Sequence, residues 1–405
     1  MDPSIRKRKI QQMAGIVAAI IVDDDEVVRK EPVPYHNSLK TGEMYYDEII
    51  STNNPARVKD VTRCPNIETF LELISFLETN GGLVSSSNSK ISTGQKVLLF
   101  LDLVKKEKNP NRAISEIFQH STSTTSQIIH EVMEAILKCL PLEIFQPEEN
   151  EATHHSITTN HRFNTYFDDA IGAVDGTYSD VAVDKDDPEN VSFVCRKGYH
   201  AFNNIGFVNF NMLFTFFLAG WEGSGHDSKV YKDAVLHGLI RRENEYYLGD
   251  AAYTLSRYCL TPYSKTKYHL KEFANAGNAP SNAKELFNLR HATLRNIIER
   301  TYGILKKQFP ILNSMPSYSI EDQVKLTQCC IFLYNFIRRR NLEWEFAEPD
   351  DNNDNDDNND NNNNDNDDDD NYNDEAKRFR DGIAQKMWRD YQEYQQQQQQ
   401  RRRGR

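Results

Sequence analysis

Between Phe167 and Arg340 the chain alternates short apolar runs with polar turns in an order that few architectures accept. Residues 170–174 form an apolar run ahead of Asp175-Gly176-Thr177, which predicts a buried strand ending on a turn. Residues 199–208 and 212–219, rich in Phe, Val, Ile and Leu, flank Asn209-Phe210-Asn211 and predict a hairpin of central strands. A Gly-rich loop at 220–225 leads into a helix running to about Ile240, with Asp227 or Ser228 as its cap. Residues 246–249 predict a strand that ends at Asp250, and 260–263 a further short one. After a polar, loop-like stretch at 264–282, a long helix over 284–309 carries Glu299 and stops at Pro310.

The order β-β-β-α-β-(β)-α is that of a ribonuclease-H-like fold, so residues 165–340 are expected to form a domain of mixed α/β and α+β class around a mixed five-stranded sheet. Ahead of it, residues 61–145 read as an all-α domain. Phe70, Leu71, Leu73, Ile74 and Leu77 recur at helical spacing until Gly81-Gly82 breaks the pattern. Ser92 or Thr93 caps a helix with Val97, Leu98, Leu101 and Val104 on one face. A short helix with Ile114, Ile117 and Phe118, the turn 119–122, and a longer helix with Ile128, Ile129, Val132, Met133, Ile136 and Leu137 then outline a helix-turn-helix. Two helices joined by a polar turn are equally a simple packing unit, and the second offers Thr124 and Gln127 but no Lys or Arg before Lys138. Thr124 and Gln127 are the candidate DNA-contacting residues of this helix.

A net charge of −12 opposes nucleic-acid binding only until its distribution is read. Residues 350–375 hold 13 acidic side chains and no basic one, so the remainder carries +1. Residues 376–405 hold nine Lys/Arg against three Asp/Glu, and Arg6-Lys7-Arg8-Lys9 is either a nuclear import signal or an ordinary solvated basic run. The Asp/Asn run and the Gln tract at 395–400 bury too little to offset chain entropy, so 341–405 is expected to be a disordered tail. Within it, 381–394 with Trp388 could form one helix, read either as a partner-docking segment or as a fraying one. Residues 1–60 are expected to be basic and irregular. Six scattered cysteines, with no CxxC pair or zinc-type spacing, read as reduced thiols. The apolar stretch 14–22 is far below the ~20 residues of a membrane span, and no cleavage pattern follows it. The expectation is a nuclear or cytoplasmic chain with no membrane partner.

Phosphodiester hydrolysis needs a nucleophilic water at neutral pH and charge stabilisation at the entering and leaving oxygens, which two divalent ions ~3.5–4 Å apart can supply. Hard ions such as Mg²⁺ or Mn²⁺ take oxygen ligands, so a few converging carboxylates suffice. Asp175 and Asp250 at predicted strand ends, and Glu299 on the last long helix, are such a set. Asp227 is a fourth candidate, and equally a helix cap. Asp175 and Asp250 have ordinary turn readings as well, and Glu299 has a surface ion pair with Arg295 at i−4. Arg295, Glu299, Tyr302 and Lys306 share one helix face, expected to look toward solvent. Arg196, Lys197, Arg295, Lys306 and Lys307 are candidate phosphate contacts, with solvated surface charge as the alternative.

The stretches AIGAVDGTYSDVAV, FLAGWEGSGHDSKVYKDAVL, YYLGDAAYTLSRYCLTPY and FNLRHATLRNIIERTYGILKKQFPIL, taken in order, resemble the PIF/Harbinger superfamily of DDE transposases and their domesticated nuclease relatives. So do the 48 residues separating Asp250 from Glu299, and VVRKEPVPYHNSLKTGEMYYDEI with the helix-turn-helix stretch upstream. The resemblance spans roughly residues 28–340. It implies a metal-dependent DNA endonuclease or transposase in which Asp175, Asp250 and Glu299 are catalytic, with Asp175, Asp227, Asp250 and Glu299 as ligands of two divalent metal ions. It further implies DNA and a Myb/SANT-like DNA-binding protein as partners; a homo-oligomer is a separate expectation. Tyr178, where the family tends to have His, and Ala251-Ala252, where it tends to have Ser-Gly, depart from the pattern without removing a carboxylate. The rival reading is a domesticated DNA-binding scaffold without catalysis, and a third is a general nuclease.

Overall fold

Side-chain caps fix the helix starts in the first half of the chain. Thr41 accepts from Met44 N to open α1 (Gly42–Ile50), and Asn54, followed by Pro55, opens α2 (Pro55–Thr62). Asn66 opens α3 (Ile67–Gly81), which Gly82 ends in the left-handed region at φ 69°. Ser92, one of the two expected caps, opens α4 (Thr93–Val104), a helix buried along its whole length. Then come α5 (Asn111–Phe118) and, capped by Ser121, α6 (Thr122–Glu143). This computed structural model describes residues 35–85, 91–106, 111–149, 151–184, 188–266, 279–341 and 370–403, and side chains in the last stretch over 374–401. Two units result, Met1–Leu39 and Lys40–Arg405, and the elements described below belong to the second.

After a single turn, α7 (His155–Thr158), the chain enters β1 (Ala170–Asp180), β2 (Ala201–Val208) and β3 (Phe214–Glu222). Helix α8 (Asp227–Leu236), β4 (Tyr246–Leu248) and β5 (Cys259–Leu260) follow, then the long helices α9 (Ala283–Gln308) and α10 (Ile320–Arg340). The sheet order is β3-β2-β1-β4-β5, antiparallel across β1-β2-β3 and parallel across β1-β4-β5. This is the expected mixed five-stranded sheet, compatible with a ribonuclease-H-like domain. The hairpin turn is built by Asn209, whose Oδ1 accepts from Asn211 N and Leu213 N, both at 3.1 Å.

The two sheet faces are covered differently. Ala173, Val208, Phe214 and Leu248 join a core with Ile298, Tyr302 and Leu305 of α9 and Phe332, Leu333 and Phe336 of α10. That core continues into α3, α4 and α6. Val174, Ile205, Phe207 and Tyr247 point the other way, against Val230 and Ala234 of α8. Asn335 of α10 ties three elements together: it accepts from Phe214 N at 2.9 Å and donates to Phe214 O at 2.7 Å and Glu143 O at 2.8 Å. The Glu143 carboxylate is itself buried and paired with Arg339 and Arg340.

Four expectations change. Strand β1 does not stop at Asp175 but runs on to Asp180, because β2 pairs with it through Gly176, Thr177 and Tyr178. Residues 42–60, within the segment expected to be irregular, hold α1 and most of α2, each started by a side-chain cap; Arg6 to Lys9 lie outside the described residues. Leu71 is exposed, on the outer face of α3. The expectation of a wholly disordered tail also fails, because α11 (Asp370–Arg403) docks. Ala376, Ala384 and Met387 are buried, Tyr263 OH donates to Asp381 and Tyr166 OH to Asp390, each at 2.6 Å, and the Arg380 guanidinium stacks on the Tyr263 ring. Ala376, Phe379, Ile383, Ala384, Met387 and Tyr391 make a helical stripe that the low-complexity flanks obscured. Residues 342–369 lie outside the described residues.

Candidate active site

The carboxylates gather around the middle of β1. Asp175 pairs across β1-β2 with Gly206, and both positions face α9. A side chain at Gly206 would meet Tyr302 Oη at 2.5 Å. Its absence lets the Tyr302 hydroxyl reach the strand and donate to Asp175 O at 2.8 Å, which pins α9 over this point. Two turns earlier, Arg295 donates through Nη1 to Asp175 Oδ2 at 2.8 Å and through Nη2 to Glu299 Oε1. The guanidinium therefore bridges the strand carboxylate and the helix carboxylate.

Asp250 lies two residues beyond β4, 5 % exposed, with its Oδ1 accepting from Ala252 N at 2.9 Å in a local turn. Its partner strand β1 carries Asp175 just past the last β1-β4 pair, Ala173 with Leu248. Burial pushes the Asp175 carboxyl well above the usual carboxylate range, and Arg295 only partly opposes it; Asp250, Glu299 and Asp227 add to the rise. Asp250 is raised too, mainly by burial, with Arg295 again the chief opposing charge.

Asp227 comes from the other face. It is the first residue of α8, whose cap is His226, so it is not the helix cap. Its Oδ1 accepts from Asn203 Nδ2 at 3.0 Å and stands 3.1 Å from where a side chain at Gly176 would begin. Arg196 lies 3.5 Å from its other oxygen and donates through Nε to Tyr178 OH at 3.2 Å. The structure thus splits the four acids: Asp175 and Glu299 share Arg295 on the α9 face, Asp227 shares Asn203 and Arg196 on the α8 face, and Asp250 follows β4 within electrostatic reach of both arginines.

Among the described residues, no group of three His, Cys, Asp or Glu side chains stands ready to hold a metal ion. The donor set still fits a hard divalent cation. It offers only oxygen, and burial with mutual repulsion raises both Asp175 and Asp250, the mark of a site short of positive charge. Asp175, Asp250 and Glu299, with Asp227 beside them, are the residues that would hold it.

Other sequence candidates fare unevenly. The face of α9 expected to look toward solvent is turned inward: Arg295 is 7 % and Tyr302 6 % exposed, because this face packs on β1. Lys306 and Lys307 sit in the last turn of α9, where cations also favour the helix dipole. Lys197 is exposed in the bend before β2. On α6, Thr124 serves the first turn through Ser121, and Gln127 donates to Glu131 at 2.9 Å, so neither belongs to the elements that build the site. Sequence reasoning missed Asn203 and Gly206, and placed Tyr302 only on a face expected to look toward solvent. Asn203-Asn204, polar residues inside the otherwise apolar β2, were the readable signal.

Residues 174–335 match the DDE superfamily endonuclease family, a span that includes all four acids. The chain carries a DDE endonuclease domain. Residues 37–138 match a domain of unknown function (DUF8040). Among curated relatives, the protein named "Putative nuclease HARBI1" is 25 % identical over 171 residues in Homo sapiens, covering 41 % of this chain and 45 % of that one. Its Rattus norvegicus counterpart is 25 % identical over 221 residues, covering 53 % and 59 %. The "Protein ALP1-like" of Arabidopsis thaliana is 22 % identical over 249 residues, 55 % of each chain. The chain thus spans about half the length of the curated relatives it matches. No solved structure matches. The Harbinger relationship read from the motifs holds, and with it a nuclease-type domain of a superfamily that generally uses divalent metals. Among the described residues, no helix is long and apolar enough to cross a membrane.

Proposed function

We propose that this protein is a divalent-metal-dependent DNA endonuclease of the DDE type, cutting phosphodiester bonds at transposon ends, with strand transfer by the freed 3′-hydroxyl as a further step. The observation that carries this reading is half-buried Asp175 and buried Asp250 at the middle of the sheet, with Glu299 tied to Asp175 through Arg295, inside a DDE endonuclease domain. A bound Mg²⁺ or Mn²⁺ pair supplies a nucleophilic water at neutral pH and stabilises the leaving oxyanion. The protein's own part is positional. Tyr302 and Gly206 fix α9 over β1 and so place Glu299 against Asp175, Ala252 N orients Asp250, and Asn203 orients Asp227. Arg196, 46 % exposed at the side chain, sits at the rim, where a phosphate oxygen can replace Asp227 as its partner.

DNA as substrate, a Myb/SANT-like recruiting protein, self-association and a nuclear location belong to the same proposal. The test is nicking of a supercoiled plasmid carrying the element's inverted repeats, with the recruiting protein supplied. Nicking should require Mg²⁺ or Mn²⁺, and Asp175→Asn or Glu299→Gln should lower it more than about a hundredfold, since even groups behind metal ligands cost 10–100-fold. Unchanged cutting by Asp175→Asn refutes the assignment. DNA binding without cutting under every metal condition favours a non-catalytic scaffold.

A further inference from the structure

Among the described residues, Arg295 bridges two of the acids, and it is a buried cation. Its side chain is 9 % exposed, against 19 % for Asp175 and 36 % for Glu299. A guanidinium so far out of water needs anionic partners, and Asp175 and Glu299 supply them through its two terminal nitrogens. Residues drawn from a central strand and a crossing helix are thereby held together by an internal cation. The charge count points to what that cation stands against. With all four carboxyls ionised, Asp175, Asp227, Asp250 and Glu299 would bring four negative charges and Arg295 and Arg196 two positive ones, a difference that one divalent ion would cancel.

Resting on the nuclease reading above, we infer that Arg295 is a counter-ion latch: its guanidinium holds Asp175 and Glu299 in the metal-free protein and must give up that bridge for a divalent ion to take the same oxygens. Arg295 is then a positioning residue that competes with the metal, not a surface contact for DNA. A permanently charged, planar group suits the role because it keeps two carboxylates parted by one fork without losing its proton. Glu299, the most exposed of the three, is the partner with room to turn as the bridge opens. The latch makes two opposite demands on one residue: losing it should loosen the metal-free protein and tighten its hold on metal.

The test titrates Mn²⁺ into the metal-free full-length protein and counts free ion by its EPR signal, for wild type, Arg295→Gln, Arg295→Lys and Asp175→Asn. Wild type should bind and Asp175→Asn should not. Arg295→Gln should half-saturate at about a tenfold lower Mn²⁺ concentration, within the usual span of coupling between competing ligands. Arg295→Lys, which keeps the charge but lacks the fork, should fall between. Melting gives a second reading that does not need the variant to be as stable as wild type: the Mn²⁺-induced rise in melting temperature should be larger in Arg295→Gln. Equal or weaker Mn²⁺ binding by Arg295→Gln, with wild type binding and Asp175→Asn failing, overturns the latch and leaves the nuclease reading standing. Equal binding by wild type and Asp175→Asn removes the metal site itself, and the latch with it.

Discussion

At the scale of single residues, the site depends on close approaches that tolerate no extra atoms. Gly206 is the clearest, since a methyl there would lie 2.5 Å from the Tyr302 hydroxyl that holds α9 to Asp175 O. Gly206→Ala should cost about 1–3 kcal/mol by overpacking, measurable as a shift in urea midpoint, and should lower nicking as well because it moves Glu299. His291 gives a pH test away from the carboxylates. It is fully buried on α9, its Nε2 bonds Leu260 O at 2.8 Å, and burial holds its pKa down to about 3 from an ordinary 6.5. The unfolded chain therefore binds more protons between those values. The contribution of this neutral ring is fully present above pH 6.5 and is lost as pH falls toward 3, at up to about 1.4 kcal/mol per pH unit. Urea midpoints between pH 7 and 5 should fall less steeply for His291→Gln than for wild type; parallel slopes would contradict it.

At the scale of elements, the stability of the site is borrowed from helices that carry no chemistry. Asn335 satisfies both backbone groups of Phe214 at the start of β3 and the last carbonyl region of α6. Asn335→Ala should cost about 3 kcal/mol, because it leaves buried donors and acceptors unpaired. Helix α11 covers α9 from outside, so Met387→Asp, at a fully buried position, should undock it and lower the melting temperature by several degrees. A melting curve indistinguishable from wild type would show that the docking contributes nothing. These elements were unequally legible. Apolar periodicity placed the core of α3, the β2-β3 hairpin and α9 close to their observed bounds, since each buries one face or both. The end of β1 was misread because Asp-Gly-Thr has turn chemistry, and only pairing with β2 overrides it. Of α11 only 381–394 was read as able to form a helix, its ends being masked by the Asp/Asn and Gln flanks, and the inward turn of Arg295 was masked by the assumption that a basic residue beside Glu299 faces water. Strand ends and spacing singled out the four acids as candidates; that an arginine would sit between Asp175 and Glu299 was not legible, because it depends on how α9 rotates over β1.

At the scale of the whole molecule, charge is divided along the chain. The ten Asp between residues 350 and 369 account for most of the net −12, while the rest of the chain is near neutral with basic stretches at both ends. If DNA is the substrate, this run competes with phosphate for the same cations. Deleting residues 350–369 should tighten binding to non-specific duplex several-fold at low salt, and the gain should fade as the screening length shrinks toward ~3 Å at 1 M. A salt-independent gain would point to something other than electrostatic competition.

The central claim is that Asp175 contacts the metal on which cutting depends, and Asp175→Cys tests it most directly. A thiolate is a poor ligand for Mg²⁺ and a better one for softer ions. The account predicts that the variant nicks plasmid no faster than background in Mg²⁺ and regains measurable nicking in Mn²⁺, while wild type cuts in both. Loss of activity that is identical in the two metals, or none at all, would contradict it.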